Sequence, residues 1–408
     1  MNQVAMGATA AVSESAAPRD PAARRPPPMA SVAIRGVGIV CAYGEGVGAL
    51  RTGLASGVPA LAPLPALAPP SERDAQVSAV DQGRYPLHPD GTMAMVGRAI
   101  GEALASAGAS VDELRDCALV VGGSAMLAHA EQASRELYRT EIGRRPRLEP
   151  PGDLANALAR QFGLRGPVLT LSTACASSAN ALLVARDIVV RGRARRALVV
   201  GIERLCATTL SGFSSLMLLD AGGCRPFDAA RRGLHFGEGA GALLLESEAA
   251  GMPQLARLAG GASLCDVYHP TRSNPDGSGM ARCMQAALQD AGVAAGAIVA
   301  IKAHGTGSSD SDVAEAAAMR SVFSGVPPFT ALKRYLGHTL AACGAIETIA
   351  LLAALEAGLV PPAAGFATED PEIGLSPLRQ PLPATAGHYL LNYFGFGGNC
   401  ASLVITHG

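Results

Sequence analysis

The chain has 408 residues, a formal net charge of -1, 49% hydrophobic residues and 48 glycines, enough for one large domain or two of ordinary size around a substantial core. The near-zero charge argues against a nucleic-acid binder, whose basic surface would show in the balance. Nine scattered cysteines, with no C-x-x-C pair and no Cys/His run at metal-ligand spacing, argue against a disulfide framework and a zinc site and for reduced cytoplasmic thiols.

Residues 1–30 are rich in Ala, Pro and Arg without a continuous apolar stretch, so a disordered tail is expected and a secretory signal is not; Met29 offers a second start. No run reaches transmembrane length without glycine or charge, so a soluble protein is expected. SVAIRGVGIVCAYG (Ser31–Gly44) reads as a buried strand, GVGALRTGLASG as a short helix and VPALAPLPALAPPSERDAQ as a surface loop. MAMVGRAIGEALASAGAS has helical spacing, and CALVVGGSA is a continuous apolar run ending in glycines, as a central strand would be. A helix through LANALARQFGL, a strand at PVLTL, an apolar helix ANALLVARDIVV and a strand RALVVGIE follow, and GEGAGALLLES closes a first half over residues 31–248.

The second half, residues 249–408, repeats the alternation. PQLARLAGGASLCDV reads as a strand, MARCMQAALQDAG as a helix and IVAIKAHGTG as a strand entering a glycine turn. An acidic helix (DSDVAEAAAMRSVF), a long apolar helix (GHTLAACGAIETIALLAALEAG) and two strands around a glycine loop (HYLLNYFGFGGNCASLVITHG) complete it. Such alternation implies an α/β fold with buried sheets, and one unusually apolar helix at the same stage of each half suggests two central helices between two sheets.

Cys175, in LSTACASSANALLV, stands where a strand gives way to a helix. Most free cysteines pack as inert small hydrophobes. Here the unpaired N–H groups and dipole of a helix start would favour a thiolate, and small neighbours leave the approach open. A nucleophilic thiol needs a basic or electrostatic partner. His304 ends a strand on a glycine turn and His338 follows Gly337 before the apolar helix, although either could be a hydrogen-bonded turn residue. His88, His129, His235, His269, His388 and His407 have less suggestive contexts. The only lysines, Lys302 and Lys333, sit beside the two singled-out histidines, which suggests a need for a compact ammonium.

TACASSA, AHGTG, Lys333 followed by GHTLAACGA, NYFGFGGN, and the linking stretch CRPFDAARRGLHFGEGAGALLLE occur in an order that resembles β-ketoacyl-acyl-carrier-protein synthases, from Ser31 onward. The resemblance implies a thiolase-like fold of two duplicated α/β halves in five αβαβα layers, and a dimer. It implies that Cys175 takes an acyl group from a carrier-protein thioester. The N–H groups of Cys175 and Phe396 would form an oxyanion hole, and His304 and His338 would hold the malonyl thioester and stabilise the enolate left by decarboxylation. Lys333, paired with Glu315, would organise the site electrostatically. Phe396 would act as a gate, with Gly395 and Gly397 allowing close approach and movement. No metal or dissociable cofactor is implied, because the phosphopantetheine arm arrives on an acyl carrier protein.

Without the resemblance, Glu315 and Asp312 read as a solvated acidic helix face. Cys400 keeps a thiolase, with a second cysteine as base, as an alternative. The chain is short, trimmed between FSSLMLLD and CRPFD, and reads RRG for Arg-Asp-Gly, which points to a specialised fatty-acid or polyketide pathway such as aryl polyene assembly. RGRARR (Arg191–Arg196), Arg231 and Arg232 are candidates for meeting an acidic carrier, and Met126 for the base of the acyl pocket. A chain-length-factor-like partner without condensing activity and a thiolase-fold acyltransferase are the competing functions.

Overall fold

The computed structural model describes residues 30–63, 76–81, 84, 89–124, 128, 130–131, 150–248 and 253–408. The expected tail over residues 1–29, His88, Met126 and His129 lie outside them.

The first half contributes Val32–Cys41 (β1), Ala118–Gly123 (β2), Val168–Leu171 (β3), Arg196–Glu203 (β4) and Gly239–Ser247 (β5). The second contributes Ala256–Cys265 (β6), Ile298–Lys302 (β7), Phe329–Thr330 (β8), Gly387–Gly395 (β9) and Asn399–His407 (β10). Their spatial order is β3-β2-β4-β5-β1-β6-β10-β9-β7-β8, which reads the same from either end. In both halves the second, third and fourth strands run parallel and the first and fifth pair antiparallel. The two expected sheets are joined along one short seam, where Val32, Ala33 and Ile34 of β1 pair with Leu258, Arg257 and Ala256 of β6.

Six helices set the layers: Pro89–Ala107 (α1), Ser177–Val190 (α2), Ala207–Ser215 (α3), Ser278–Ala291 (α4), Ser309–Val322 (α5) and Cys343–Glu356 (α6). Helix α1 covers the outer face of β1 and β5, and α4 covers β6 and β10 with α5 beside it. Helices α2 and α6 pack on one another between the sheets, which gives the five layers. Burial on every side explains why their sequences show almost no polar face: every residue of α6 from Cys343 to Leu355 is buried. Polar groups that enter this layer are satisfied locally, as where the Ala345 N–H donates to Ser178 Oγ at 3.0 Å.

Candidate active site

The carboxyl ends of β3, β7 and β9 converge on a cavity of about 590 Å³ lined by Cys175, His304, His338, Phe394, Gly395 and Phe396, among others. Open α/β sheets place ligand sites at this end of their parallel strands.

Cys175 lies in the tight link Thr173–Ala176 between β3 and α2. Ala174 holds a left-handed φ of 49°, a conformation that costs a non-glycine residue about 1 kcal/mol or more and is found where a functional side chain must be aimed. Ser177 fixes the link by accepting from the Thr173 N–H at 2.8 Å and donating to the Ala174 carbonyl at 2.6 Å. Burial pushes the Cys175 thiol up to about 12; Lys333 is the main charge opposing this, Glu203 reinforces it, and the N–H groups of Phe396 and of Cys175 itself point at Sγ and lower it. Gly395 must lack a side chain, because a Cβ there would sit 2.9 Å from the Cys175 nitrogen.

His304 and His338 meet edge-to-face with ring centroids 5.4 Å apart. Each has a buried Nδ1 without a hydrogen-bond partner. Burial and then the positive charge of Lys333 hold both well below the ordinary histidine range, so both rings are neutral. The backbone, rather than the ring, fixes their positions. Glu315 accepts the N–H groups of His304 at 2.7 Å and Gly305 at 2.9 Å, and the His338 N–H donates to the His235 carbonyl at 2.8 Å.

The structure corrects the expected partner of Lys333. Its Nζ donates to Glu347 Oε1 at 2.6 Å, on α6, and not to Glu315, which is occupied by the turn after β7 and by Asn392 Nδ2 at 3.2 Å. Nor are Glu315 and Asp312 a solvated face: both are fully buried, and Asp312 accepts the N–H groups of Phe227, Thr306 and Gly307. Burial pushes their carboxyls up to about 7 and about 6, against the pull of those donors.

Phe396 stacks on Phe213 of α3, with centroids 5.1 Å apart and planes 7° from parallel. Gly397, at φ 75°, donates its N–H to the Pro270 carbonyl at 2.7 Å, bracing the loop against the segment after β6. Cys400 lines the same cavity, but its thiol is pushed up by burial and by Cys283, Asp266 and Cys265, with no lysine beside it.

The structure also places the two groups of arginines. RGRARR lies at the far end of α2 from Cys175, about 21 Å along 14 helical residues. Within it Arg191 pairs with Asp187, and Arg195 and Arg196 pair with Glu246. Arg231 is tied to Asp370 and to the carbonyls of Asp228 and Ser309, leaving Arg232 exposed beside it. Sequence reasoning missed Glu347, Glu203 and Phe213. Glu347 carried a readable signal, as a lone acid inside an otherwise apolar helix requires a buried cation.

Family models match on both sides of the seam: the β-ketoacyl synthase N-terminal domain over residues 29–250 and the C-terminal domain over 255–367. The chain belongs to the β-ketoacyl synthase family. The 3-oxoacyl-[acyl-carrier-protein] synthase 2 of Mycobacterium tuberculosis is 35% identical over 263 residues, 61% of this synthase-family chain and 63% of the relative, so the match spans less than two thirds of the relative's length. A ketosynthase in complex with its type II PKS acyl-carrier protein, bound to the hexaketide, superposes with a TM-score of 0.84 at 26% identity, covering 93% of this chain and 100% of that one. The ketosynthase in complex with its chain length factor from Xenorhabdus doucetiae superposes with a TM-score of 0.80 at 28% identity, covering 93% and 98%. The expected thiolase-like αβαβα fold is therefore the fold of this family member. Among the described residues no helix is long and apolar enough to cross a membrane.

Proposed function

We propose that this chain is a condensing enzyme that joins an acyl group to a malonyl unit, both carried on acyl carrier protein, by decarboxylative Claisen condensation. The observation that carries this reading is the convergence of Cys175, His304 and His338 on one cavity beneath the N–H groups of the Phe396 loop.

In the first step Cys175 Sγ attacks the acyl thioester. The carbonyl oxygen gathers charge between the Cys175 and Phe396 N–H groups, where preorganised donors act most strongly. Collapse breaks the bond to the carrier thiol, which leaves with the proton that the Cys175 thiol gives up. In the second step the malonyl thioester carbonyl lies against His304 and His338. The carbon–carbon bond to the carboxylate breaks, carbon dioxide leaves, and its electron pair remains as an enolate. Neutral imidazoles suit this step, because they can donate a hydrogen bond to the enolate oxygen without protonating its carbon. The carbanion attacks the acyl-cysteine carbonyl, Cys175 leaves as thiolate and takes up a proton, and a β-ketoacyl chain longer by two carbons stays on the carrier.

The reaction draws on no metal or dissociable cofactor. Similarity to ketosynthases solved with an acyl carrier protein and with a chain length factor supports an acyl carrier protein as substrate vehicle and a ketosynthase-like second chain, identical or different, as partner. The departures from the elongating pattern support a specialised fatty-acid or polyketide pathway. A chain-length-factor-like role without condensation is disfavoured by retention of the thiol and both imidazoles in one cavity.

Incubation with acyl- and malonyl-carrier proteins, followed by mass spectrometry, tests the proposal. Acyl mass on Cys175, lost in Cys175→Ala, and a product two carbons longer are expected. Acylation without product would overturn condensation, and no acylation with any carrier would favour the partner role.

A further inference from the structure

Behind the reacting groups, the chain's only two lysines share one carboxylate. Lys333 Nζ takes Oε1 of Glu347 at 2.6 Å, and Lys302 Nζ takes Oε2 at the same distance; the side chains of both lysines are completely buried and that of Glu347 almost so. Lys302 ends β7 two residues before His304, so the strand that delivers the imidazole also delivers this cation.

The surroundings of Lys302 call for an ammonium. Its Nζ has three donors and no acceptor when protonated. It faces Glu347 Oε2, the Asn392 carbonyl at 2.7 Å, and the Tyr393 ring with the centroid 3.7 Å away. All three are acceptors, and a neutral amine would turn its lone pair against one of them. Burial pulls Lys302 below the usual lysine range and Lys333 adds to this, while Glu347 and Cys343 oppose it. Within the cluster itself two cations face one carboxylate, a net positive charge.

We propose that Lys302 is a positioning residue for the Cys175 site: by occupying one oxygen of Glu347 it prevents that carboxylate from neutralising Lys333, so Lys333 keeps a field directed at the thiol and the two imidazoles. This rests on Cys175 being the acyl-carrying nucleophile. The other charged and titratable groups facing this region are Glu203 on β4, Cys343 on α6, Tyr393 on β9, and Glu315 on α5. None of them supplies a further positive charge, and Glu203 and Glu315 add negative charge as they ionise, so the positive side of the balance rests on Lys302 and Lys333.

The test is the pH dependence of iodoacetamide alkylation at Cys175, read by peptide mass spectrometry on the full chain for a series that changes only this charge balance. Lys302→Met, and likewise Lys302→Gln, leaves Glu347 free to cancel Lys333. Each is expected to raise the alkylation midpoint and slow alkylation at pH 8 about tenfold, the effect of one pH unit. Glu347→Gln alone is expected to lower the midpoint. The double variant Lys302→Met with Glu347→Gln, which restores one net positive charge, is expected to return toward wild type, and Lys302→Arg to stay near it. A purely structural role predicts instead that the double variant is worse than either single one. That result, or a midpoint that ignores the charge series, overturns the proposal. If the Lys302 variants do not fold, Glu347→Gln decides: a lowered midpoint supports the proposal, and an unchanged or raised one overturns it. Absence of acyl transfer to Cys175 in the wild type would overturn the condensation reading, whereas transfer with a charge-independent midpoint overturns only the role of Lys302.

Discussion

Gly395→Ala probes how closely the gate loop must approach the nucleophile. Gly395 has φ -122° and ψ 161°, which alanine adopts freely, so backbone strain contributes nothing. The added Cβ would instead lie 2.9 Å from the Cys175 nitrogen and 3.3 Å from both Ala174 Cβ and the Ala176 nitrogen. Relief requires roughly 0.5 Å of separation between two backbones that each carry an oxyanion donor. A shift of that size takes a donor from about 2.9 Å to about 3.4 Å from its acceptor, beyond the useful range. Loss of one such donor costs about 3 kcal/mol, or 10²–10³-fold in rate. The overpacking itself costs roughly 1–3 kcal/mol of stability. The assay is the rate of acyl mass appearing on Cys175, with circular dichroism confirming a folded variant. A folded variant that acylates within about threefold of wild type, a difference of under 1 kcal/mol, would refute the claim that the Phe396 N–H must stay against the thiol.

Other substitutions separate fold from chemistry. Glu315→Gln turns an amide NH₂ against one of the backbone N–H groups of His304 and Gly305, leaving a buried donor unsatisfied at about 1–3 kcal/mol. Condensation is expected to fall at least about tenfold while acylation of Cys175 stays near wild type, and equal effects on both half-reactions would contradict this. Glu238→Gln removes the carboxylate that pairs with fully buried Arg204 at 3.1 Å and accepts the Leu205 and Val80 N–H groups. It should cost about 3–5 kcal/mol in chemical unfolding, and a change below about 1 kcal/mol would sink the argument. His235, between Ser78 Oγ and the Cys224 N–H, is pulled down to about 3 by burial and then by Arg334, so the unfolded chain takes up this proton more readily than the native one. The stability it contributes is therefore present above pH 6.5 and is lost as pH falls, by about 1.4 kcal/mol per unit. The stability gap between wild type and His235→Gln should narrow by about 2 kcal/mol from pH 6.5 to pH 5, and a constant gap would contradict the sign.

What the sequence made legible was governed by local pattern. The predominantly apolar character of ANALLVARDIVV and AIETIALLAAL announced helices buried on nearly all sides, and both lie between the sheets. The junction placing Cys175 was readable because a strand run, small residues and a helix run follow one another without interruption. What was not legible was long-range pairing. Glu315 and Glu347 are both acids on helices of the second half, 32 positions apart, and nothing in spacing says which meets Lys333. The answer depends on α6 passing under the cavity floor while α5 turns its carboxylate to the backbone after β7. The arginines show the same limit: RGRARR reads as a charged surface, and Arg191, Arg193 and Arg195 are exposed, but spacing does not say that Arg195 and Arg196 pair with Glu246 beyond the end of α2 farthest from Cys175.

The palindromic strand order also explains why one cavity needs both halves. In each half the second, third and fourth strands run parallel, and the residues that follow β3, β7 and β9 line one cavity. The third strand of the first half leads into Cys175; its counterpart β8 leads into Lys333 and His338. The second and fourth strands of the second half deliver His304 and Phe396, and the fourth of the first half ends at Glu203. A single half could therefore present a nucleophile with only its own N–H as donor, or imidazoles without a nucleophile. The packing of α2 on α6, together with the β1–β6 seam, brings the two sets within reach of one substrate. That contact is built from groups such as the Cys343 thiol, which donates to the Cys175 carbonyl at 3.0 Å, so the register between the halves and the aim of the nucleophile are fixed by the same interface.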